Sequence, residues 1–445
     1  MRQPSASRAA WLLLLFLTFL NILSFIDRQL IVYLAPMLRR ELGLSLAKIA
    51  LLYGYVFLVF YTVMGMLLGN AADRINRPRL IAVGLTLWSA LTAASGAAMR
   101  FAYLASARLF VGVGEATLTP SAVSMLGDVF TPKKRAFASG FYYAGVPLGS
   151  GASMMLAGWI APRYGWRACF YVLGVIGLFM VPLVLMIKNP LRGQAEAIES
   201  GKAVPEGLAE RPSLGEMYVE LRRALIRTPT LALAILTGVL LNFSLSAAAL
   251  LLTWLTTERG LNYRTAAYIS GGIVTVAGTL STTLGGYASD WFHRRWAGGR
   301  MWFLVVNVIL FAPFTIGVYM LPVATPYRLF YISWFVSTLG AFTWYGPVYA
   351  TVQDMVPARI RSTGVAFLLL ALNLLGSGLG PFVAGVIGDS ASLWRGLIIC
   401  TCIGFTAAIP SFFAARRYRS DLERAQRAEG LLPNPTATEV LLASS

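Results

Sequence analysis

The chain has 445 residues, 57% of them apolar and only 13% charged, about half the charged share of a soluble protein. Its mean hydropathy is +0.67, so its surface requires lipid rather than water as solvent. The net charge of +18 comes from short Lys and Arg clusters between long uncharged stretches. That is the pattern of loops facing anionic headgroups, and it excludes nucleic-acid binding.

A helix needs ~20 mainly apolar residues to cross a bilayer. In chain order the qualifying runs are 11–34, 49–68, 80–99, 102–126, 137–160 and 168–187. After a polar stretch come 231–255, 265–288, 301–321, 327–352, 363–387 and 397–413, so twelve spans are predicted. Arg2 and Arg8 precede the first run as in a secretion signal. That run outlasts a signal's apolar stretch and no small-residue cleavage site follows it, so no cleavage is expected.

The predicted class is an all-α integral membrane protein of two parallel six-helix halves. Residues 1–188 form an N-terminal bundle, 189–229 a linker, 230–415 a C-terminal bundle and 416–445 a tail expected to be largely disordered. In the linker, Ser213-Leu-Gly-Glu216 is a capping-box pattern. Leu214, Met217, Tyr218, Leu221 and Leu225 follow at helical spacing, with Arg222, Arg223 and Arg227 on the polar side. A short amphipathic helix on the membrane surface is expected. With an even number of spans both termini share a side, which carries 25 Lys and Arg against 10 opposite. The positive-inside rule then places both termini in the cytoplasm, in a cell (inner) membrane.

Cys169, Cys400 and Cys402 lie in apolar runs and read as small buried hydrophobes, not as a disulfide framework or a zinc site. His293 is the only histidine and sits in a basic loop away from any nucleophile motif. No phosphate-binding loop is present. Neither an enzyme nor an ATP-driven pump is expected, and no metal or bound cofactor.

The halves repeat one another. Gly69-Asn-Ala-Ala-Asp73-Arg74 returns as Gly286-Tyr-Ala-Ser-Asp290, 217 positions on. Asp128…Pro132…Arg135 returns as Asp354…Pro357…Arg361, the arginines 226 apart, and Trp166-Arg167 as Trp394-Arg395, 228 apart. Such six-plus-six arrays are common among secondary transporters, which bind substrate near midplane between halves that rock about it. Gly69 through Arg79 resembles the loop signature of the major facilitator superfamily, with Asn76 where that family prefers glycine. Arg108-Leu-Phe-Val-Gly112-Val-Gly114-Glu115-Ala116 resembles its fourth-helix signature, and Gly140…Gly145-Val-Pro147-Leu-Gly149 its fifth-helix pattern. Within the superfamily the text is similar to Spinster-like transporters, proposed carriers of lysolipids and sphingolipid phosphates. That likeness rests on Phe25-Ile-Asp27-Arg28-Gln29, Glu115-Ala116…Pro120, Gly165-Trp166-Arg167 and Gly380-Pro381…Gly385…Gly388-Asp389.

Four ionisable residues fall inside spans: Asp27, Arg28, Arg108 and Glu115. Each would cost ~2.5–3.5 kcal/mol at midbilayer, so they must face one another or a wet cavity. At 100° per residue, Asn21, Ser24, Asp27 and Arg28 share one face of span 1 and Arg108, Gly112, Glu115 and Thr119 one face of span 4. Asp27 and Arg108 both lie roughly 10 Å inside the outer boundary, so an Asp27–Arg108 pair is expected, with Glu115 about two turns deeper. Asp27 is the expected proton site, Arg108 its modulator, and Glu115 a second carboxylate that relays protons or competes for Arg108. Arg28 or Arg108 would hold an anionic headgroup. The resemblance implies similar roles for Asp27, Arg108 and Glu115.

The second half has no ionisable residue inside a span; Asn242, Thr253, Trp254, Trp344, Tyr345, Tyr349 and Asn373 are its expected cavity wall. In the signature loop, Asp73 is expected to cap the start of span 11 and Arg77 to pair with Asp128. The resemblance implies a gating role for Gly69, Asp73, Arg74, Arg77 and Asp128, and for Asp290, Asp354 and Arg361 in the second half. The expected activity is proton-coupled secondary transport of a lysolipid-like amphiphile by alternating access, by a monomer powered by the proton gradient. The competing expectations are a proton:organic-anion symporter of sugar-acid type and, third, a passive lipid scramblase.

Overall fold

The computed structural model describes residues 8–72, 75–130, 132–191, 214–357 and 360–428, and among these every regular element is a helix. Ten stretches are long and apolar enough to cross a membrane. One of them, Ala138–Leu185, contains two spans that meet at Gly165, where φ of 80° turns the chain back, a conformation open to glycine and costly for other residues. The helices Tyr327–Ala341 and Tyr345–Met355 make a further span, which brings the number to twelve.

The first half runs through Arg8–Tyr33 (span 1), Leu46–Tyr53 with Tyr55–Ala72 (span 2) and Arg77–Gly96 (span 3). Phe101–Glu115 with Leu118–Val129 is span 4, and Pro132–Tyr143 followed by Gly145–Leu185 carries spans 5 and 6. The linker helix Leu214–Arg227 leads into Pro229–Ala247, Ala248–Leu250 and Leu251–Thr257 (span 7). Tyr263–Arg295 (span 8), Gly299–Met320 (span 9) and the broken span 10 follow. Span 11 is Arg361–Ala371, a π-helical segment Leu372–Gly378 and Leu379–Ser390; span 12 is Leu393–Phe405 with Ala408–Ala428.

The duplication extends to the fixings of each half. Asn21 Nδ2 donates to Tyr142 O at 2.8 Å, tying span 1 to span 5, and Asn242 Nδ2 donates to Leu372 O at the same distance, tying span 7 to span 11. A glycine makes room for each asparagine, Gly145 in the first half and Gly376 in the second. Spans 4 and 10 break at matching places: Thr117 Oγ1 donates to Gly114 O at 2.8 Å and Thr343 Oγ1 to Gly340 O at 3.0 Å. Pro120 and Pro347 lie just beyond; each lacks an N–H and crowds the preceding turn. Glu41 accepts from Trp166 Nε1 at 2.5 Å and pairs with Arg167, whereas Glu258, 217 positions on, accepts from the backbone of Leu393 at 2.6 Å and Trp394 at 3.1 Å. These contacts clamp the first and last spans of each half together, through the Trp166 and Arg167 side chains in the first half and through backbone amides in the second.

Arg8 and Ala428, where the described chain begins and ends, lie on one face of the bundle. The halves meet most closely on the opposite, far face, through span 5 against span 8 and span 2 against span 11. Small residues set these crossings: a Cβ on Gly158 would come within 2.7 Å of Ala267, on Gly271 within 2.7 Å of Gly151 O, and on Gly54 within 3.1 Å of Gly378. About three turns beyond Gly54, at Gly65, and about four beyond Gly271, at Gly286, an added Cβ would meet nothing within 4 Å. The central cleft is thus closed on the far face and open on the face carrying the termini.

The structure departs from expectation at the tail. Residues 416–428 continue the last helix, because Asp421 Oδ2 accepts from Thr230 N at 2.8 Å and Thr230 Oγ1 at 2.7 Å and so caps the start of span 7. Composition alone reads that basic stretch as solvated tail; a long-range cap holds it. The linker helix is present, with Leu221 and Ala224 buried and Arg222, Arg223 and Arg227 exposed. Ser213 lies outside the described residues.

Candidate transport site

The four charged residues of spans 1 and 4 form two ion pairs in the core of the first half. Asp27 Oδ1 accepts from Arg108 Nη1 at 3.1 Å, its backbone carbonyl accepts from Arg108 Nη2 at 3.1 Å, and Oδ2 accepts from Thr92 Oγ1 at 2.8 Å. Glu115 Oε2 accepts from Ser24 Oγ at 2.7 Å and from Arg28 Nη2 at 3.1 Å. Asp27, Arg108 and Glu115 are at most 2% exposed, and Arg28 alone keeps some access to solvent, with 13% of its side chain exposed.

Two acids and two guanidinium groups make a cluster of zero net charge, the cheapest way to hold four charges in an apolar medium. Aromatic rings replace water around it. The Arg28 guanidinium carbon lies 4.7 Å from the Phe25 and Phe57 ring centres and 4.4 Å from Tyr61, and Arg108 lies 5.8 Å from Phe57. Phe57 thus faces both arginines and couples the two pairs electrostatically. Glycines permit the approach of spans 2 and 4: a Cβ on Gly112 would stand 2.8 Å from Phe57 O.

Span 4 breaks after Glu115, so Thr119 leaves the face it would share on an unbroken helix and instead lies 3.3 Å from the Tyr142 hydroxyl. Glu115 pairs with Arg28, not with Arg108. The Asp27–Arg108 pair is the one their matched depth predicts; the partner of Glu115 depends on the rotation of span 1 against span 4, which periodicity along either helix alone does not set.

The second-half residues expected to form a neutral wall take several different places. Trp344 is buried and stacks on the half-buried Tyr345 with ring centres 4.0 Å apart, and Tyr349 follows one turn on. Asn373 Nδ2 donates to Thr62 Oγ1 at 3.2 Å, across the two halves, and Asn242 is occupied by Leu372 and Ser377. Thr253 is fully buried in the short helix that ends span 7. Trp254 belongs to the core near the far face: it packs on Tyr319 and Phe330, with the Arg259 guanidinium 5.2 Å from its ring.

At the terminal face Arg77 pairs with Asp128 and donates to Ser124 Oγ at 3.0 Å, Asn189 Oδ1 at 2.9 Å and the Pro190 carbonyl. One guanidinium therefore gathers the start of span 3, the end of span 4 and the exit of span 6. Gly69 lies in the span 2 helix; Asp73 and Arg74 lie outside the described residues. In the second half the partner of Asp354 is Arg300, at 2.7 Å, which also reaches Asp290 at 3.4 Å, while Tyr418 Oη donates to Asp354 at 2.5 Å. Arg361 opens its helix, and its side chain lies outside the description. Arg300 was the residue that motif matching missed. It stands at the first turn of span 9 as Arg77 stands at that of span 3, 223 positions apart, and that register was the available signal.

Two six-helix repeats around a cleft, with an ionic core on one side and latch-like pairs at the mouth, define the fold of a secondary transporter. Residues 17–377 match the Major Facilitator Superfamily, and the chain belongs to that family of transporters. Among its relatives is an MFS-type efflux pump of Mycolicibacterium smegmatis, 28% identical over 93% of this chain and 95% of that protein. The protein spinster of Drosophila melanogaster is 25% identical over 87% of this chain and 64% of that protein. The crystal structure of a bacterial homologue of the human lysosomal transporter Spinster, inward-facing and unoccupied, superimposes with a TM-score of 0.79 at 24% identity, covering 94% of this chain and 99% of that one.

Proposed function

We propose that the chain is a proton-coupled transporter of amphiphiles with an anionic or zwitterionic head, such as lysophospholipids, working by alternating access as a monomer. The observation that carries this reading is the neutral, two-pair cluster confined to the first half. Arg28 is its exposed member, so an anionic headgroup entering the cleft meets Arg28 first and draws it from Glu115. A carboxylate that loses its counter-charge in apolar surroundings takes up a proton. Headgroup binding and protonation thereby become linked through Arg28 and Glu115, and through the shared Phe57 ring to Arg108 and Asp27. Asp27, held by Arg108 and Thr92, is the site at which proton transfer reports the closing of the cleft. Tyr345 and Tyr349, which unlike Trp344 are only partly buried, suit contact with an acyl chain. No bound cofactor is needed, since the proton gradient supplies the driving force. The excess of Lys and Arg on the terminal side supports a cell membrane with both termini in the cytoplasm, which makes the observed state inward-open.

The test is flux into liposomes under an imposed pH gradient, with a lysophospholipid and a sugar acid offered side by side. Gradient-driven lysolipid movement that Asp27→Asn abolishes is the expected result. Sugar-acid movement in its place overturns the substrate reading, lysolipid movement without a gradient overturns proton coupling, and full gradient dependence in Asp27→Asn overturns the assignment of Asp27.

A further inference from the structure

The Gly380-Pro381…Gly385…Gly388-Asp389 segment has no part in the charged cluster. Its carboxylate nevertheless makes a two-bond polar contact between the halves. Asp389 Oδ1 accepts from Leu46 N at 2.9 Å and Oδ2 accepts from Ala47 N at 2.9 Å, the first two amides of the helix that opens span 2. Arg39, also in the first half, lies 3.9 Å from Oδ1. The glycines of the segment make this approach possible. A Cβ on Gly385 would stand 3.0 Å from Ala47 N, and one on Gly388 2.9 Å from the Leu46 side chain.

We propose that Asp389 is a far-face latch that holds the transporter in its terminal-face-open state. The argument is electrostatic. Asp389 is the penultimate residue of Leu379–Ser390, where the carbonyl end of its own helix disfavours an anion. The N-terminus of the span 2 helix offers it two unpaired N–H groups and the favourable end of that helix's dipole. The carboxylate is therefore well placed only while spans 2 and 11 are in contact. When the far face opens, it loses both amides and Arg39 together and is left against its own helix terminus. Its energy differs between the two states of the cycle, which is the requirement for a residue that biases their populations. Span 5, in the symmetry-related position, carries the exposed Arg163 beside its turn, and the span 5–span 8 crossing has no carboxylate of this kind among its described contacts. The latch is thus a property of one crossing, and it acts whatever the substrate.

The experiment measures conformation rather than transport, which separates its failure from failure of the substrate reading. The full chain in detergent carries Cys402→Ser, since Cys402 is exposed while Cys169 and Cys400 are buried. Spin labels on cysteines at the exposed far-face positions Tyr164 and Val323 report the separation of the halves by double electron–electron resonance. Asp389→Ala is expected to raise the ratio of the longer to the shorter distance about tenfold. Asp389→Asn keeps the size of the side chain and one acceptor oxygen, and removes the charge and the second acceptor. It is expected to raise the same ratio about threefold. Distance distributions equal to the parent's in either folded variant overturn the proposal.

Discussion

The two halves of this chain share one frame and differ in chemistry. Asn21 and Asn242, Glu41 and Glu258, and the pairs Arg77–Asp128 and Arg300–Asp354 hold corresponding helices in corresponding ways. The charged cluster has no counterpart. The register of 226 that relates Gly114 to Gly340 puts Trp334 where the first half has Arg108, and Ala341 where it has Glu115. The stretch opposite Asp27 and Arg28 is the apolar turn Ala248–Leu250. What is duplicated holds the helices of both halves in place; what is not duplicated is the charged cluster on which the proposed function rests. The lesson is general for two-fold arrays: departures from the repeat deserve the first mutations.

The largest effect is expected at the unduplicated pair. Arg108→Met leaves Asp27 buried beside Thr92 without its counter-charge, a loss of about 3–5 kcal/mol when one partner of a buried pair is removed. Adding Asp27→Asn should restore most of the thermal stability in detergent, because the uncompensated charge is then gone. A double variant no more stable than the single one would show that the pair is not coupled, and the contrast between the halves would lose its physical basis.

A smaller, unequal effect is expected at the duplicated latches. Arg77 is fully buried and binds four groups, so Arg77→Ala should destabilise by about 3 kcal/mol or more. Arg300 and its acids are partly exposed, and Arg300→Ala should cost about 1 kcal/mol. Melting temperatures of the two variants, compared directly, check the order; equal losses would mean that the halves are fastened with equal strength.

The smallest effect concerns the far-face clamps. Hydrogen bonds from Arg167 and Trp166 hold the Glu41 carboxyl below the usual carboxylate range. A depressed folded-state value means the stabilisation is complete above the unfolded-state value and is lost as pH falls toward the folded one. The difference in melting temperature between the parent and Glu41→Gln should therefore stay constant from neutral pH down to about 5 and shrink below that. A difference already shrinking between pH 7 and 6 would contradict the clamp.

Much of this architecture is written along the chain. Hydropathy yields the spans because a bilayer leaves a helix no other way to satisfy its backbone. Repeated landmarks yield the two halves, and rare charges within spans mark the core of the site because each is too costly to stand alone. Asp27, Arg28, Arg108 and Glu115 were legible for that reason. The Asp27–Arg108 pair was legible too, from matched depth, but the Arg28–Glu115 pair was not, since depth and face follow from the rise and turn of one helix while that partnership follows from the rotation of two. The same limit explains the Arg300–Asp354 pair, Trp254 in the core, Asn242 taken up by Leu372, and the ordered helix through Asp421. It explains Asp389 most clearly. The sequence determined that an acid ends span 11; only the packing of span 2 against it, through Gly385 and Gly388, decided that two backbone amides would meet that acid across the divide between the halves.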